Sequence, residues 1–313
     1  MRVLVLGGTG FIGRHVAAAL AARGHEVSIG TRHPRRARRR LPAALRGCEL
    51  REAHFERLDH RADWHLLLAG CHAVVNTVGI LRNRGAETYD RVHHLAPRAL
   101  AAACALGGRR LVHVSALGLS HAARSGFLRS KLAGERAVAA SGAPYSIVRP
   151  SLLEGEGGFG AKWLRWFARW PVHFVPADAR GRIAALDVAD LGEAIAILCE
   201  KPASAEWREV EVGGTAAPTM AEYLAALRAR RTSRAALRLT VPAWLARIVS
   251  HACDAVHFSP FSFGHLELLR RDNVPRPNLL PRLLGRESAP LAVLGGRGEI
   301  RQPAPVTLRR PAF

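Results

Sequence analysis

The sequence predicts an α/β fold: a doubly wound parallel sheet with a smaller, mostly helical C-terminal region. Two observations predict it. Short apolar runs alternate with helical segments along the first half of the chain, a rhythm that builds parallel strands joined by right-handed crossovers. The first of these runs ends in a glycine-rich turn that opens a helix, "RVLVLGGTGFIG" at residues 2–13. Sheets of this kind hold their ligands just there, at the carboxyl ends of the strands.

Each element follows in order. "RVLVLG" (residues 2–7) is an apolar run of buried-strand type, because a parallel strand covered on both faces needs no polar alternation. "FIGRHVAAALAARG" reads as a helix stopped by Gly24, and "HEVSIGTR" as the second strand. "CHAVVNTVG" and "RRLVHVSALG" read as strands four and five, with the helical "ETYDRVHHLAPRALAAACALGG" between them. "APYSIVRP" is a sixth strand closed by Pro150. Beyond it the rhythm loosens into the glycine-rich loop "SLLEGEGGFG" and the aromatic, amphipathic "AKWLRWFARWPVHFVP". "IAALDVADLGEAIAILCE" becomes a helix, "WREVEVGG" a further strand, and the chain from Pro218 onward is expected to be mostly helical. The last stretch, "RQPAPVTLRRPAF", is rich in Pro and Arg and is expected to be poorly ordered. The division this implies is a first domain over residues 1–150, with segments near 183–213 returning to it, and a lid, substrate or partner region over residues 151–313.

Composition narrows the function classes. With 313 residues, 49% of them hydrophobic, the chain can bury a sizeable core. Its five Cys are scattered without a C-x-x-C pair, which argues against zinc and against a disulfide framework and suits a reducing compartment. The opening residues run straight into a strand, leaving no room for a signal peptide. No uncharged apolar run reaches the roughly 20 residues of a membrane span. The expected location is the cytoplasm, with a peripheral position on the inner membrane as the alternative. The net charge of +21 has two readings. It is either attraction to an anionic partner or surface, or a compositional bias, since Lys131, Lys162 and Lys201 are the only lysines among the basic residues. Nucleic-acid binding would rest on charge alone, with no recognition motif, and is set aside.

Gly7, Gly10 and Gly13 form G-x-x-G-x-x-G between a strand and a helix. Such glycines permit a tight turn, close approach of backbone to a pyrophosphate, and close helix–sheet packing, while the helix N-terminus offers N–H donors. The motif marks residues 1–150 as an NAD(P)-binding Rossmann domain. At the end of strand two an NAD site usually carries an acidic residue. This chain has Thr31 and Arg32, with Arg35 and Arg36 a turn later and no carboxylate. A guanidinium suits a 2′-phosphate, so NADP(H) is favoured over NAD(H); the other reading is that these arginines are simply solvated.

Taken in order, "VLGGTGFIG", "GCHAVVNTVGI", "VHVSALG", "FLRSK" and "IVRPSLLEGEGG" followed by "DVADLGEAI" resemble the extended and atypical short-chain dehydrogenase/reductases, the NAD-dependent epimerase/dehydratase-like proteins. Within them the chain is most similar to the nucleotide-binding accessory subunit of respiratory complex I and its bacterial relatives. The likeness covers residues 1–200 and continues more loosely through "VPAWLARIV" and "LLRRDNVPRPNLLPRLLG". It implies that Gly7, Thr9, Gly10, Phe11, Ile12 and Gly13 line the pyrophosphate and Arg32 the 2′-phosphate. Asn76, Val78 and Gly79 would flank the adenosine ribose. Ser115 and Lys131 would face the nicotinamide half, bordered by Pro150 and Ser151.

The chain departs from the family's catalytic set. In that set a Lys lowers the pKa of a Tyr four residues earlier, and the Tyr moves a proton. Here the Tyr position is Phe127, the Asn position of the preceding helix is His93, and Ser115 stands one residue before Ala116, where the hydroxyl belongs. Lys131 alone is intact. None of Tyr89, Tyr145 and Tyr223 lies near this helix in sequence. His93 either supplies the missing proton or is packed in the interior. Metal ligation is not expected, because no His, Asp or Glu cluster has ligand spacing.

"WLRWFARWPVHF" sets Trp163, Trp166, Phe167 and Trp170 in one stripe beside Lys162, Arg165 and Arg169. It would either cover a hydrophobic acceptor such as a quinone, touch a membrane surface or partner, or form the inner side of a lid; "TVPAWLARIVSHACDAVHF" has the same alternatives. Two functions follow: a protein that holds NADP(H) for structure or regulation, associated with a respiratory complex, or an NAD(P)H-dependent oxidoreductase acting on a quinone-like acceptor.

Overall fold

The computed structural model describes residues 1–256 and 261–289; the expectation for the Pro/Arg-rich tail lies outside them. The first unit is β1 (Arg2–Leu6), α1 (Phe11–Ala22), β2 (Glu26–Thr31), α2 (Pro34–Arg40), β3 (Glu49–Glu52) and β4 (Ala73–Asn76). The second continues with α3 (Ala96–Leu106), β5 (Arg110–Val114), α4 (Gly126–Ala139) and β6 (Tyr145–Pro150). Then come β7 (Leu153–Glu154), α5 (Phe159–Phe167), β8 (Val172–Pro176), β9 (Leu186–Asp187), α6 (Val188–Glu200) and β10 (Glu209–Val212). The chain closes with α7 (Met220–Ala229), β11 (Leu237–Val241), α8 (Ala243–Val256), α9 (Phe263–Leu269) and α10 (Leu280–Leu284).

Seven strands form one parallel Rossmann sheet in the order β10-β6-β5-β4-β1-β2-β3. The strand order reverses between β1 and β4, which opens the crevice at their carboxyl ends. β3, with the sequence ELRE, is a charged edge strand, the usual protection against edge pairing and the reason its apolar signal is absent. Val3, Val5, Val112 and Val148 face one layer, where Val16 and Leu20 of α1 meet Leu191 and Ile195 of α6. Leu4, Leu6, Val74 and Leu111 face the other layer, with Leu100, Cys104 and Val138 of α3 and α4.

Two close helix crossings depend on glycine. A Cβ on Gly192 of α6 would lie 2.9 Å from the His15 backbone of α1, and one on Gly134 of α4 only 1.9 Å from the His93 carbonyl oxygen. The second crossing presses α4 onto a single π-helical turn, Arg91–Leu95, that precedes α3.

The remaining chain builds a smaller unit around Ala168, Ile183, Tyr223, Leu224 and Leu227. Helices α5 and α7 to α9 make up most of it, whereas Leu280 and Leu283 of α10 pack into the core of the main sheet beside α6. The smaller unit also contains a two-stranded parallel ribbon, β8 with β11; β11 lies in the stretch after Pro218 that the sequence reading expected to be mostly helical. Glu154, buried here, accepts from the Tyr223 hydroxyl at 2.5 Å and from Arg165 at 2.6 Å.

Candidate functional site

The glycine turn lies at the strand-order reversal. Gly7 adopts φ +75°, a conformation that favours glycine, and a Cβ on Gly13 would stand 2.2 Å from the Gly7 oxygen. Gly8, which the sequence reading passed over, is also required: its Cβ would lie 2.8 Å from Ile29 of β2. Gly10 differs from these. Its Cβ would approach only the Gly7 oxygen, at 3.1 Å, so protein packing asks little of it. It leaves an open approach to the N-terminus of α1, where no acidic residue occupies the first turn.

Around this turn lie the ends of the neighbouring strands. The Thr9 and Thr31 hydroxyls are 3.4 Å apart and join β1's turn to β2. Arg32, at the end of β2, pairs with Glu87 from the segment before the π turn. Asn76 is fully buried: its amide meets His113 Nδ1 at 3.1 Å and its oxygen accepts from Val78 N at 3.0 Å. It therefore shapes the Val78–Gly79 turn from within. The glycine-rich loop after β7 lies over the same end. Arg14 donates to the Glu156 carbonyl, and Cβ atoms on Gly157 and Gly158 would collide with Arg14 and Phe11. Neither Arg14 nor this loop carried a signal in the sequence beyond its glycines.

The opposite end gathers Gly79, His93, Phe127 and Lys131. A Cβ on Gly79 would be 3.6 Å from His93 Nε2 and 3.9 Å from Lys131 Nζ, and the ammonium lies 5.8 Å from the centre of the Phe127 ring. Loss of solvent around the ammonium lowers the Lys131 pKa to about 8, against the opposing pull of Glu135 one turn on. His93 is spent on structure. Ile80 N–H donates to Nε2 at 3.0 Å, so the ring proton sits on Nδ1 and is given to Ser130 Oγ at 3.1 Å. That hydroxyl donates in turn to the Phe127 carbonyl at 3.0 Å. Burial, then the charge of Lys131, hold the His93 pKa well below its ordinary value. Of its two readings, the packed interior residue matches this geometry.

Phe127 sits in an aromatic cage. Tyr89 stacks on His93 with centroids 5.7 Å apart and meets Phe127 edge-on at 5.8 Å. His265 of α9 covers the ring from the C-terminal side. The sequence reading set Tyr89 aside as distant from this helix, yet its ring packs on Phe127; His265 was not named there. Tyr89 shares the crossover segment with His93, four residues earlier, which was an available signal; His265 had none. The Tyr89 hydroxyl donates to the Leu81 carbonyl at 2.8 Å.

Ser115 and Ser151 lie at the ends of β5 and β6, and both are buried. Ser115 Oγ has no hydrogen-bond partner, whereas the Ser151 hydroxyl faces the Asn273 side-chain oxygen at 2.6 Å. Asn273 Nδ2 also donates to the Leu117 carbonyl at 2.9 Å. One residue of the C-terminal segment thus ties down the ends of both strands, beside Pro150.

The residues fit a nicotinamide dinucleotide. The Gly7–Gly13 turn is a cradle that added Cβ atoms would fill, and Ser115 Oγ is an orphaned buried hydroxyl at the end of β5, two strands along the sheet from β1. Gly7, Thr9, Gly10, Phe11, Ile12 and Gly13 would hold the phosphates, and Ser115 and Lys131 the nicotinamide half. Such a group, when bound, would supply a hydride. What the chain adds is a charged Lys131 and a sheltered crevice. At position 127 it has no proton to give. Among the described residues, no group of three or more His, Cys, Asp or Glu could hold a metal, and no helix is long and apolar enough to cross a membrane.

Residues 7–165 match the profile of a family described as NAD(P)H-binding. The chain belongs to that family. Among curated relatives of this NAD(P)H-binding protein is a ceramide reductase of Caulobacter vibrioides, 32% identical over 64% of this chain and 61% of that one. Another is subunit 9 of the NADH dehydrogenase (ubiquinone) 1 alpha subcomplex, mitochondrial, of Arabidopsis thaliana, 29% identical over 67% of this chain and 53% of that one. The chain therefore spans between about half and three-fifths of the length of these relatives. A nucleoside-diphosphate-sugar epimerase of Staphylococcus aureus superposes with a TM-score of 0.72 at 16% identity, covering 93% of this chain and 98% of that one. At that identity the likeness concerns the fold. The NAD(P)H-binding chain is thus an atypical short-chain dehydrogenase/reductase-like protein with relatives among respiratory complex I subunits.

Proposed function

We propose that this chain holds NADP(H) for a structural or regulatory purpose and acts through a protein partner, at the surface of a membrane-bound respiratory complex. One observation carries the reading: Phe127 occupies the position of the proton-moving hydroxyl and is packed among Tyr89, His93 and His265. Losing a general acid typically costs a factor of about 10² to 10⁴, too much for an ordinary carbonyl reductase. The relative among NADH dehydrogenase subunits supports the association with a complex. Preference for NADP(H) rests on Thr31 and Arg32 at the end of β2, where no carboxylate follows on the strand. Glu87, paired with Arg32, competes with a 2′-phosphate for the same guanidinium.

The experiment is a titration with NADPH and NADH followed by nicotinamide fluorescence, then addition of quinones to the bound complex. Tight NADPH binding with lasting fluorescence supports the holding role. Absence of binding by either nucleotide overturns it.

A second reading is an oxidoreductase acting on a hydrophobic acceptor, quinone-like or otherwise. Its support is specific: Lys131 is retained beside the crevice, and a relative is named for the reduction of a lipid. Loss of fluorescence when a quinone is added favours it.

A further inference from the structure

Apolar side chains that a water-facing surface rarely collects are concentrated on one part of the C-terminal unit. In the ribbon, Leu239 pairs with Phe174 and Leu237 with Val172, so their side chains share one face. Phe174 is 45% exposed and Leu237 62%, while His173 and Val175 on the other face are buried. The chain leaves β11 through Pro242 directly into α8, which buries Ala246 and Ser250 toward the protein. Trp244 and Ile248, one turn apart on its outer side, are 65% and 58% exposed, with Leu245 and Val249 beside them. A contiguous patch of this kind marks an interaction surface.

Charge says which. Residues 223–253 contain six Arg and no Asp or Glu. Arg230, Arg231, Arg234, Arg238 and Arg247 are all exposed. Asp254, which follows, faces inward: it accepts from Phe263 N at 3.0 Å and pairs with Arg82 at 3.4 Å. The exposed Trp166 and Trp170, just before the ribbon, are likewise flanked by Lys162 and Arg169. Tryptophan and aliphatic side chains on one helix face with arginine at the flanks are the chemistry of an anionic lipid headgroup layer. A protein partner built for this face would need a matching acidic rim, and a second copy docking through the same face would set basic against basic.

We infer that the outer face of the β8–β11 ribbon and of α8 is a docking surface for an anionic lipid bilayer. The inference stands apart from the nucleotide reading, because it uses no residue of the crevice. Of the two segments given a membrane alternative in the sequence, it selects that of α8, together with the ribbon, while Phe167 and Leu164 of the α5 stripe pack against the interior.

The test is cosedimentation of the full chain with vesicles of phosphatidylcholine alone and of phosphatidylcholine mixed in equal parts with phosphatidylglycerol. Binding to the mixed vesicles is expected, weakened about tenfold or more without the anionic lipid or in about 1 M salt, where charges are screened within a few ångströms. Trp244→Asp/Ile248→Asp, at exposed positions that keep the fold, is expected to reduce binding about tenfold or more, with an unchanged thermal melt as the control. Binding of the double variant equal to the original chain overturns the inference, as does absence of binding to the mixed vesicles. Light scattering that finds a dimer in the original chain and a monomer in the variant assigns the face to a second copy and also overturns it.

Discussion

Phe127 and His265 lie face to face, ring centroids 5.8 Å apart and planes inclined by 28°. Helix α9 thus closes on the Phe127 ring, the position proposed above to correspond to a proton-moving hydroxyl. Gly264 permits the approach, since a Cβ there would be 3.1 Å from Phe127 Cδ1, and Glu267 secures it by accepting from Arg124 N and Ser125 N at 2.8 and 2.7 Å. A Phe127→Tyr variant would add a hydroxyl to a ring that is 8% exposed. A buried hydroxyl without a partner costs about 1–3 kcal/mol. Urea denaturation is expected to show a loss of that size, with NADPH binding intact. Unchanged stability together with new carbonyl reduction would mean instead that the hydroxyl reaches the crevice.

The glycines of the turn separate packing from ligand binding. Gly13→Ala forces a methyl group into the Gly7 carbonyl at 2.2 Å and toward Gly8 Cα at 2.7 Å. Backbone atoms cannot rotate away, so a stability loss of about 1–3 kcal/mol is expected. Gly10→Ala meets only the Gly7 oxygen, and its stability should change by less than about 1 kcal/mol. Its NADPH affinity should nevertheless fall at least about tenfold, because the methyl group stands where a pyrophosphate approaches the helix. If Gly10→Ala binds NADPH as the original chain does, the turn is not the phosphate cradle.

That contrast also explains what was legible in the sequence. The turn, the strands beside it and the returning strand β10 are local patterns: apolar runs bounded by glycines and helical periods. The cage around Phe127 is not local. His265 and Asn273 reach the crevice through a C-terminal return that no spacing encodes, and Glu87 meets Arg32 across 55 residues. The ribbon strand β11 escaped for another reason. Four of its five residues are exposed, so no burial pattern marks it as a strand.

Arg32 pairs with Glu87 across the end of the sheet, and the pair bears on cofactor choice. A hydrogen bond to a charged group contributes about 1.5–3 kcal/mol, roughly tenfold to a hundredfold in affinity. Arg32→Ala is expected to weaken NADPH binding by that factor and to leave NADH binding nearly unchanged. Glu87→Gln removes the competing carboxylate and should strengthen NADPH binding several-fold. Equal losses for both nucleotides in Arg32→Ala would show that Arg32 does not read the 2′-phosphate.

Buried histidines set the acid limit of the fold. Burial first, with nearby cations second, lowers the pKa of His15 to about 4 and that of His113 to about 3. His93 is shifted the same way. Each has a lower pKa folded than the 6.5 of a free histidine, so below that value the unfolded chain takes up protons that the folded chain refuses. Stability is therefore unaffected by these groups above about pH 6.5. It declines as pH falls from there toward about 4, by up to about 1.4 kcal/mol per pH unit for each. Lys131, with its pKa lowered to about 8, works in a separate window: stability should rise with pH between about 8 and 10.5. Glu49, Glu56 and Glu200 are shifted below 4.5, so their contribution is still almost complete at pH 5. Urea denaturation at pH 7 and pH 5 isolates the histidines. A loss of several kcal/mol at the lower pH is expected, and equal stabilities would show that His15, His93, His113 and also His265, whose pKa burial lowers to about 4, are protonated within the fold.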